Sequence, residues 1–62
     1  MLQFCKTILK KVSFDKFLFR KELIKSILVL NKKELVSLKV WCLSCFGVYR
    51  EIILEVFEKY GV

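Results

Sequence analysis

Residues 30–35 read Leu-Asn-Lys-Lys-Glu-Leu, a stretch that predicts the start of a helix. Asn31 and Glu34 have the N-cap and N3 identities of a capping box, in which each side chain accepts a hydrogen bond from the other residue's backbone N–H. Leu30 and Leu35 flank them at the positions of a hydrophobic staple. The connection to any preceding helix is therefore very short, which favours an antiparallel hairpin or a sharp corner.

Apolar residues recur at helical spacing over three segments, which are residues 3–12, 14–30 and 32–60. The third is one long helix or two helices broken near Gly47, because a glycine inside a helix costs about 1 kcal/mol relative to alanine. Gly61 follows Tyr60, with Lys59 in the last turn, and predicts the C-terminal stop. We therefore expect one all-α domain over residues 1–62, a small bundle of two to three helices arranged as an antiparallel hairpin.

Ser13 is the candidate N-cap of the second helix. Val12 and Phe17 flank it as a second staple, and Asp15 lies in the first turn, where a negative charge suits the helix dipole.

The third segment carries an apolar seam with alternating steps of three and four residues, which is the spacing of a heptad repeat. Its members are Leu35, Leu38, Cys42, Cys45, Tyr49, Ile52 and Val56. Further apolar residues widen the seam into a broad stripe, namely Phe46, Ile53, Phe57 and Tyr60. Trp41 and the other aromatic residues of this segment are interpreted as core or interface residues.

The second segment has two apolar ridges. One consists of Phe19, Leu23, Ile27 and Leu30, and the other of Phe17, Ile24 and Leu28. Two ridges indicate contacts on two sides, one within the fold and one with a partner. The alternative is that long lysine stems simply cover exposed leucines.

The size and apolar content of the chain predict association with another chain. It has 62 residues, of which 56% are apolar. A domain this small buries only about 60% of the surface that its unfolded chain exposes. Some large side chains are therefore expected to meet a second copy or a subunit of a larger complex.

The positive charge lies in the first half of the chain. Residues 1–33 have a net charge of +7 and residues 34–62 a net charge of −1, which together give the formal +6. The basic residues of the first half are Lys6, Lys10, Lys11, Lys16, Arg20, Lys21, Lys25, Lys32 and Lys33. They predict binding to an acidic protein surface, to nucleic acid or to an anionic membrane, unless they only keep an apolar protein in solution.

Nucleic acid and a membrane would contact the chain in different ways. Because the basic residues are nearly all lysine, nucleic acid would be bound through its backbone with little sequence preference, and no zinc-finger or RNP motif is present. Membrane contact would use residues 2–12 as a short amphipathic helix with Lys6, Lys10 and Lys11 on its polar face.

Residues 41–45 read Trp-Cys-Leu-Ser-Cys and match the bare WCxxC pattern of thioredoxin-like redox sites. Such sites place the first cysteine at the N-terminus of a helix that follows a strand. Here Cys42 lies inside a predicted helix and on the seam, so both cysteines are interpreted as packing residues.

The residue types present argue against an enzyme. The chain has no histidine, and hence neither the usual general base nor the commonest metal ligand. No set of catalytic residues or phosphate-binding loop is present, and no metal or cofactor is expected. Three cysteines and the lack of a secretory signal predict an intracellular, cytoplasmic location.

The leading hypothesis is a helical protein-interaction module. It would use the apolar seam and one ridge of the second helix to self-associate or dock, and it would present its basic half to an acidic partner. The rival hypothesis is a nucleic-acid-binding regulator, and the third is a peripheral membrane protein.

Overall fold

A computed structural model describes residues 1–61 and shows four α-helices. They are α1 (Leu2–Lys11), α2 (Lys16–Val29), α3 (Lys32–Cys45) and α4 (Arg50–Lys59), with a 3-10 turn over Gly47–Tyr49 between the last two. The all-α class is confirmed, whereas the predicted number of two to three helices is too low, because the third segment takes the second of its two predicted forms and is broken near Gly47. Residue 62 of the predicted domain lies outside the described residues.

The helix start at residue 31 is the capping box that the sequence predicts. The Asn31 Oδ1 atom accepts a 2.9 Å hydrogen bond from the backbone N–H of Glu34, and Glu34 Oε1 accepts one of 3.1 Å from the N–H of Asn31. Gly61 has a φ of +74°, the left-handed conformation expected at the end of the last helix.

The predicted N-cap at Ser13 is wrong, because Asp15 caps α2. Its Oδ1 atom accepts hydrogen bonds from the backbone N–H groups of Phe17 (2.9 Å) and Leu18 (3.2 Å). The Ser13 hydroxyl instead donates a 2.8 Å bond back to the carbonyl of Lys10, at the end of α1. The carboxylate is the stronger acceptor, so the cap lies two residues later and α2 begins at Lys16.

The break between α3 and α4 starts at Phe46. This residue leaves the helical region at φ −124° and ψ 49°, one position before Gly47. Its ring lies edge-on to the rings of Phe19 and Trp41, with centroids 5.0 and 5.3 Å away, and the Tyr49 ring is 4.9 Å from that of Phe19. The residues of the break thus pack on Phe19, a buried aromatic residue of α2. This packing favours two separate helices over one continuous helix.

Helix α2 packs mainly against α1 and α4, whereas α3 packs against α4, the 3-10 turn and α1. Although adjacent in the chain, α2 and α3 do not pair along their length as the predicted hairpin. The short connection at Leu30 and Asn31 therefore forms a corner, which is the other geometry that the sequence allows.

The core is drawn from all four helices. Its buried apolar residues are Cys5, Leu9, Phe19, Leu23, Ile27, Leu30, Leu35, Leu38, Cys42, Ile53, Val56 and Phe57. The first ridge of α2 lies entirely within this core. On the second ridge, Phe17 and Leu28 are exposed and Ile24 is half-buried. Helix α2 is thus apolar on two sides but covered on only one.

Candidate interaction surface

The apolar seam of the third segment is divided between the core and the surface. Leu35, Leu38, Cys42, Val56 and Phe57 are buried in the core. Trp41, Tyr49 and Ile52 are half-buried, and Cys45 is exposed. Because the helix ends at Cys45 and the 3-10 turn changes the register, one continuous seam does not form. Most of the predicted docking face is used to hold the chain's own helices together.

An exposed apolar groove lies instead between α1 and α2. It encloses about 220 Å³, and its lining residues are Met1, Phe4, Cys5 and Ile8 on α1 and Glu22, Lys25, Ser26 and Val29 on α2. We call this set the α1–α2 groove. Met1, Phe4 and Val29 are each more than half exposed, so large apolar side chains border the groove without a cover. The Ser26 hydroxyl is satisfied by the carbonyl of Glu22 at 2.9 Å.

The charge beside the α1–α2 groove is positive. Glu22 is the only acidic residue of α2, and its Oε1 atom lies 3.5 Å from Lys25 Nζ. Lys11 follows Phe4 by seven residues and so lies on the same side of α1, while Lys25 lines the groove from α2. Both lysines are exposed. The groove is therefore apolar at its centre and basic at its rim.

The basic residues of the first half do not gather into one patch. Lys6 and Lys10 lie on the α3 side of α1, with Nζ atoms 5.5 and 6.0 Å from the centre of the Trp41 ring. Arg20 Nη2 lies 3.3 Å from Glu55 Oε1 on α4.

The remaining basic residues are dispersed as well. Lys16 Nζ lies 5.5 Å above the ring of Phe17, and Lys25 borders the α1–α2 groove. The others are exposed in the loops or on outer faces, namely Lys11, Lys21, Lys32 and Lys33. A single basic stripe of the kind that follows a nucleic-acid backbone is therefore not assembled from these nine residues.

The apolar side of residues 2–12 is occupied by the core. Cys5 and Leu9 are buried, and Leu2 and Val12 are half-buried against the core, whereas the half-buried Ile8 lines the α1–α2 groove. Helix α1 could not lie in a membrane surface on this side without leaving the bundle. Within residues 1–61, no helix combines the length and the apolar character that crossing a bilayer requires.

The two cysteines of the WCxxC pattern differ in their surroundings. Burial, and then the neighbouring Cys45 thiol, raise the pKa of Cys42 from 9.0 to about 12, against a lowering effect of Lys6. Cys42 is thus a protonated core residue at neutral pH and a poor nucleophile. The described part of the chain contains no group of three or more Cys, Asp or Glu side chains placed to hold a metal ion.

We did not predict from the sequence that Met1, Phe4 and Val29 line one exposed groove. The α1 part of the groove could have been predicted from the sequence, because Phe4 and Ile8 are four residues apart and lie on the opposite side of α1 from Lys6 and Lys10. The contribution of Val29 had no such signal, because it reaches the groove only through the packing of α2 on α1.

Comparison with models of known protein families, with curated proteins and with solved structures gives no match to this chain.

Proposed function

We propose that this protein is a non-enzymatic helical interaction module that binds an acidic amphipathic helix in the α1–α2 groove. The observation that carries the proposal is the uncovered apolar lining of this groove, bordered by Phe4 and Val29. Monomeric proteins rarely leave contiguous large apolar side chains exposed unless the patch binds something.

The dimensions of the groove favour a helix as the ligand. Met1, Phe4 and Ile8 span two turns of α1, a length of roughly 10 Å at 1.5 Å per residue. A groove between two helices accepts an amphipathic helix whose apolar residues recur every three or four positions. Two turns of such a helix would present two or three apolar anchors to this lining.

The charges at the rim favour an acidic ligand. Lys11 and Lys25 are exposed beside the groove, and the one acidic residue of its lining, Glu22, is already next to Lys25. A ligand with carboxylates on either side of its apolar stripe would meet these lysines, which speeds association and disfavours basic competitors. Nucleic acid is a poorer ligand for the same surface, because its phosphates need a run of cations and gain little from apolar side chains.

The test is an NMR titration of the ¹⁵N-labelled protein with a synthetic amphipathic peptide that carries leucine on one face and glutamate on the other. We expect saturable shift changes confined to residues of the α1–α2 groove. A peptide with lysine in place of every glutamate should bind at least tenfold more weakly.

Two variants provide a matched comparison. Val29 and Val36 are both helical valines with 56% and 55% exposure, but only Val29 lines the groove. Val29→Asp should weaken binding of the acidic peptide at least tenfold, whereas Val36→Asp should not change it. Equal affinity in both variants would contradict the proposal. Tighter binding of a DNA duplex than of the acidic peptide would favour the nucleic-acid regulator instead.

A further inference from the structure

The second apolar ridge of α2 lies outside the α1–α2 groove, and its first residue, Phe17, lies on the flank of α2 that adjoins α4. Phe17 and Leu28 of this ridge have 75% and 68% of their surface exposed. Phe17 lines a recess together with Lys16 and Arg20 of α2 and with Ile52 and Glu55 of α4. We call the exposed surface formed by these two helices the α2–α4 face.

The α2–α4 face has one basic side and one acidic side. On the α2 side of this face the charges are Lys16, Arg20 and Lys21, which are all positive; Lys21 follows Phe17 by four residues and so lies on the same side of α2. On the α4 side the exposed charges are three acids and one base, so the row is acidic by two charges; its members are Glu51, Glu55, Glu58 and Lys59, with Leu54 among them. The 3.3 Å pair between Arg20 and Glu55 shows that the two rows lie side by side in one chain.

Such a face is complementary to a second copy of itself. Helices α2 and α4 run parallel to each other along the face, because Lys16 shares a recess with Ile52 and Arg20, one turn later, pairs with Glu55. Consider two copies related by a two-fold axis that lies in the plane of contact and runs parallel to both helices. In this arrangement α2 of each copy packs against α4 of the other, so the same contact is made twice. The basic row then meets the acidic row at both contacts, while Phe17 and Ile52 are brought to the centre.

We propose that the protein forms a two-fold symmetric dimer through the α2–α4 face. Two observations support a second copy as the occupant. The face has a row of net positive charge on α2 beside a row of net negative charge on α4. A surface that binds only an acidic or only a basic partner would carry one sign of charge. The dimer also covers Phe17, an exposed aromatic residue on the outer side of α2, a helix that is apolar on two sides. The proposal is independent of the α1–α2 groove, which uses the opposite flank of α2.

The decisive experiment exchanges the charges of one row at a time and leaves the Arg20–Glu55 pair intact. The first variant is Lys16→Glu with Lys21→Glu, which gives both rows of the face a net negative charge. The second is Glu51→Lys with Glu58→Lys, which gives both rows a net positive charge. Masses are measured by light scattering after size exclusion over a range of protein concentrations at low salt, with circular dichroism to show that each variant remains helical.

We expect the wild-type protein to be a dimer, each variant alone to be a monomer, and an equimolar mixture of the two variants to form a heterodimer. The control is Lys32→Glu with Lys33→Glu, which has the same net charge of +2 as the first variant but lies away from the face. The control should remain a dimer.

Three outcomes would overturn the dimer. They are a wild-type mass of one chain at about 1 mM protein, dimers in both charge-exchanged variants, and a mixture of these variants that stays monomeric. None of these outcomes bears on peptide binding in the α1–α2 groove, so the two proposals fail separately.

Discussion

The Tyr49 hydroxyl donates a 2.6 Å hydrogen bond to the backbone carbonyl of Ser13, which is 36 positions earlier in the chain. This contact joins the turn between α1 and α2 to the 3-10 turn between α3 and α4. The Tyr49 ring also packs on Phe19, whose own ring contacts Phe46. One end of the bundle is thus held by a polar contact between two turns and an aromatic cluster beneath it.

Tyr49→Phe should lower the free energy of unfolding by about 1 kcal/mol. The substitution keeps the ring and removes the only donor to the Ser13 carbonyl among the side chains that the structure describes, and a typical intramolecular hydrogen bond contributes about this amount. Urea denaturation followed by circular dichroism measures the change. Tyr60→Phe is the control, because Tyr60 is exposed and has no side-chain hydrogen bond within residues 1–61. Equal stability of the two variants would show that the contact between the turns contributes nothing.

Asp15→Ala should destabilise the protein by about 1 kcal/mol, whereas Ser13→Ala should change stability by less than about 0.5 kcal/mol. The reason is that Asp15 accepts two backbone N–H groups at the start of α2, and loss of an N-cap costs about 0.5–2 kcal/mol. The Ser13 hydroxyl only adds a donor to an exposed carbonyl at the end of α1. The same urea experiment checks both variants, and the opposite order would restore Ser13 as the cap.

The features that the sequence predicts correctly are those set by neighbouring residues. Asn31 and Glu34 form their capping box within one turn, and the stop at Gly61 depends on that residue's own conformation. Ser13 and Asp15 are both capping residue types within one short turn, and the Asp15 carboxylate becomes the cap as the stronger acceptor.

The features that the sequence could not settle depend on contacts between distant residues. Gly47 marks the region of the break, but the residue that leaves the helix is Phe46, which packs on a phenylalanine of α2. Cys45 falls on the heptad spacing and is nevertheless exposed, because α3 ends at that residue. The α1–α2 groove likewise needs Phe4 and Val29 to be brought together from two helices.

Gly47→Ala should raise the free energy of unfolding by about 0.4–1 kcal/mol. The backbone at Gly47 is not in the left-handed region, and a Cβ atom at this position would meet no atom within 4 Å. Alanine therefore fits the folded chain and reduces the conformational freedom of the unfolded one. The break should persist because the packing of Phe46 on Phe19 holds it. Backbone chemical shifts of residues 46–49 report the break, and fully helical values in the variant would show that glycine, and not the aromatic packing, causes it.

The buried Cys42 thiol should make the protein less stable at alkaline pH. Burial raises the pKa of Cys42 to about 12 in the folded chain, from an ordinary value of 9.0. Above pH 9 the unfolded chain therefore releases this proton while the folded chain keeps it, so the free energy of unfolding falls as the pH rises. The stabilisation is complete below pH 9 and is lost progressively towards pH 12. The slope approaches roughly 1.4 kcal/mol per pH unit, which gives a loss of about 2 kcal/mol by pH 10.5.

Urea denaturation under reducing conditions at pH 8, 9, 10 and 10.5 measures this loss. Cys42→Ala is the control, because it lacks the buried thiol and keeps every other side chain of the wild-type protein. The variant should start from a lower free energy of unfolding at pH 8, owing to the small cavity that it leaves. Its stability should then decline less steeply, so that the two proteins converge above pH 10. Parallel curves over the whole range would mean that the thiol ionises as easily in the folded chain as in the unfolded one.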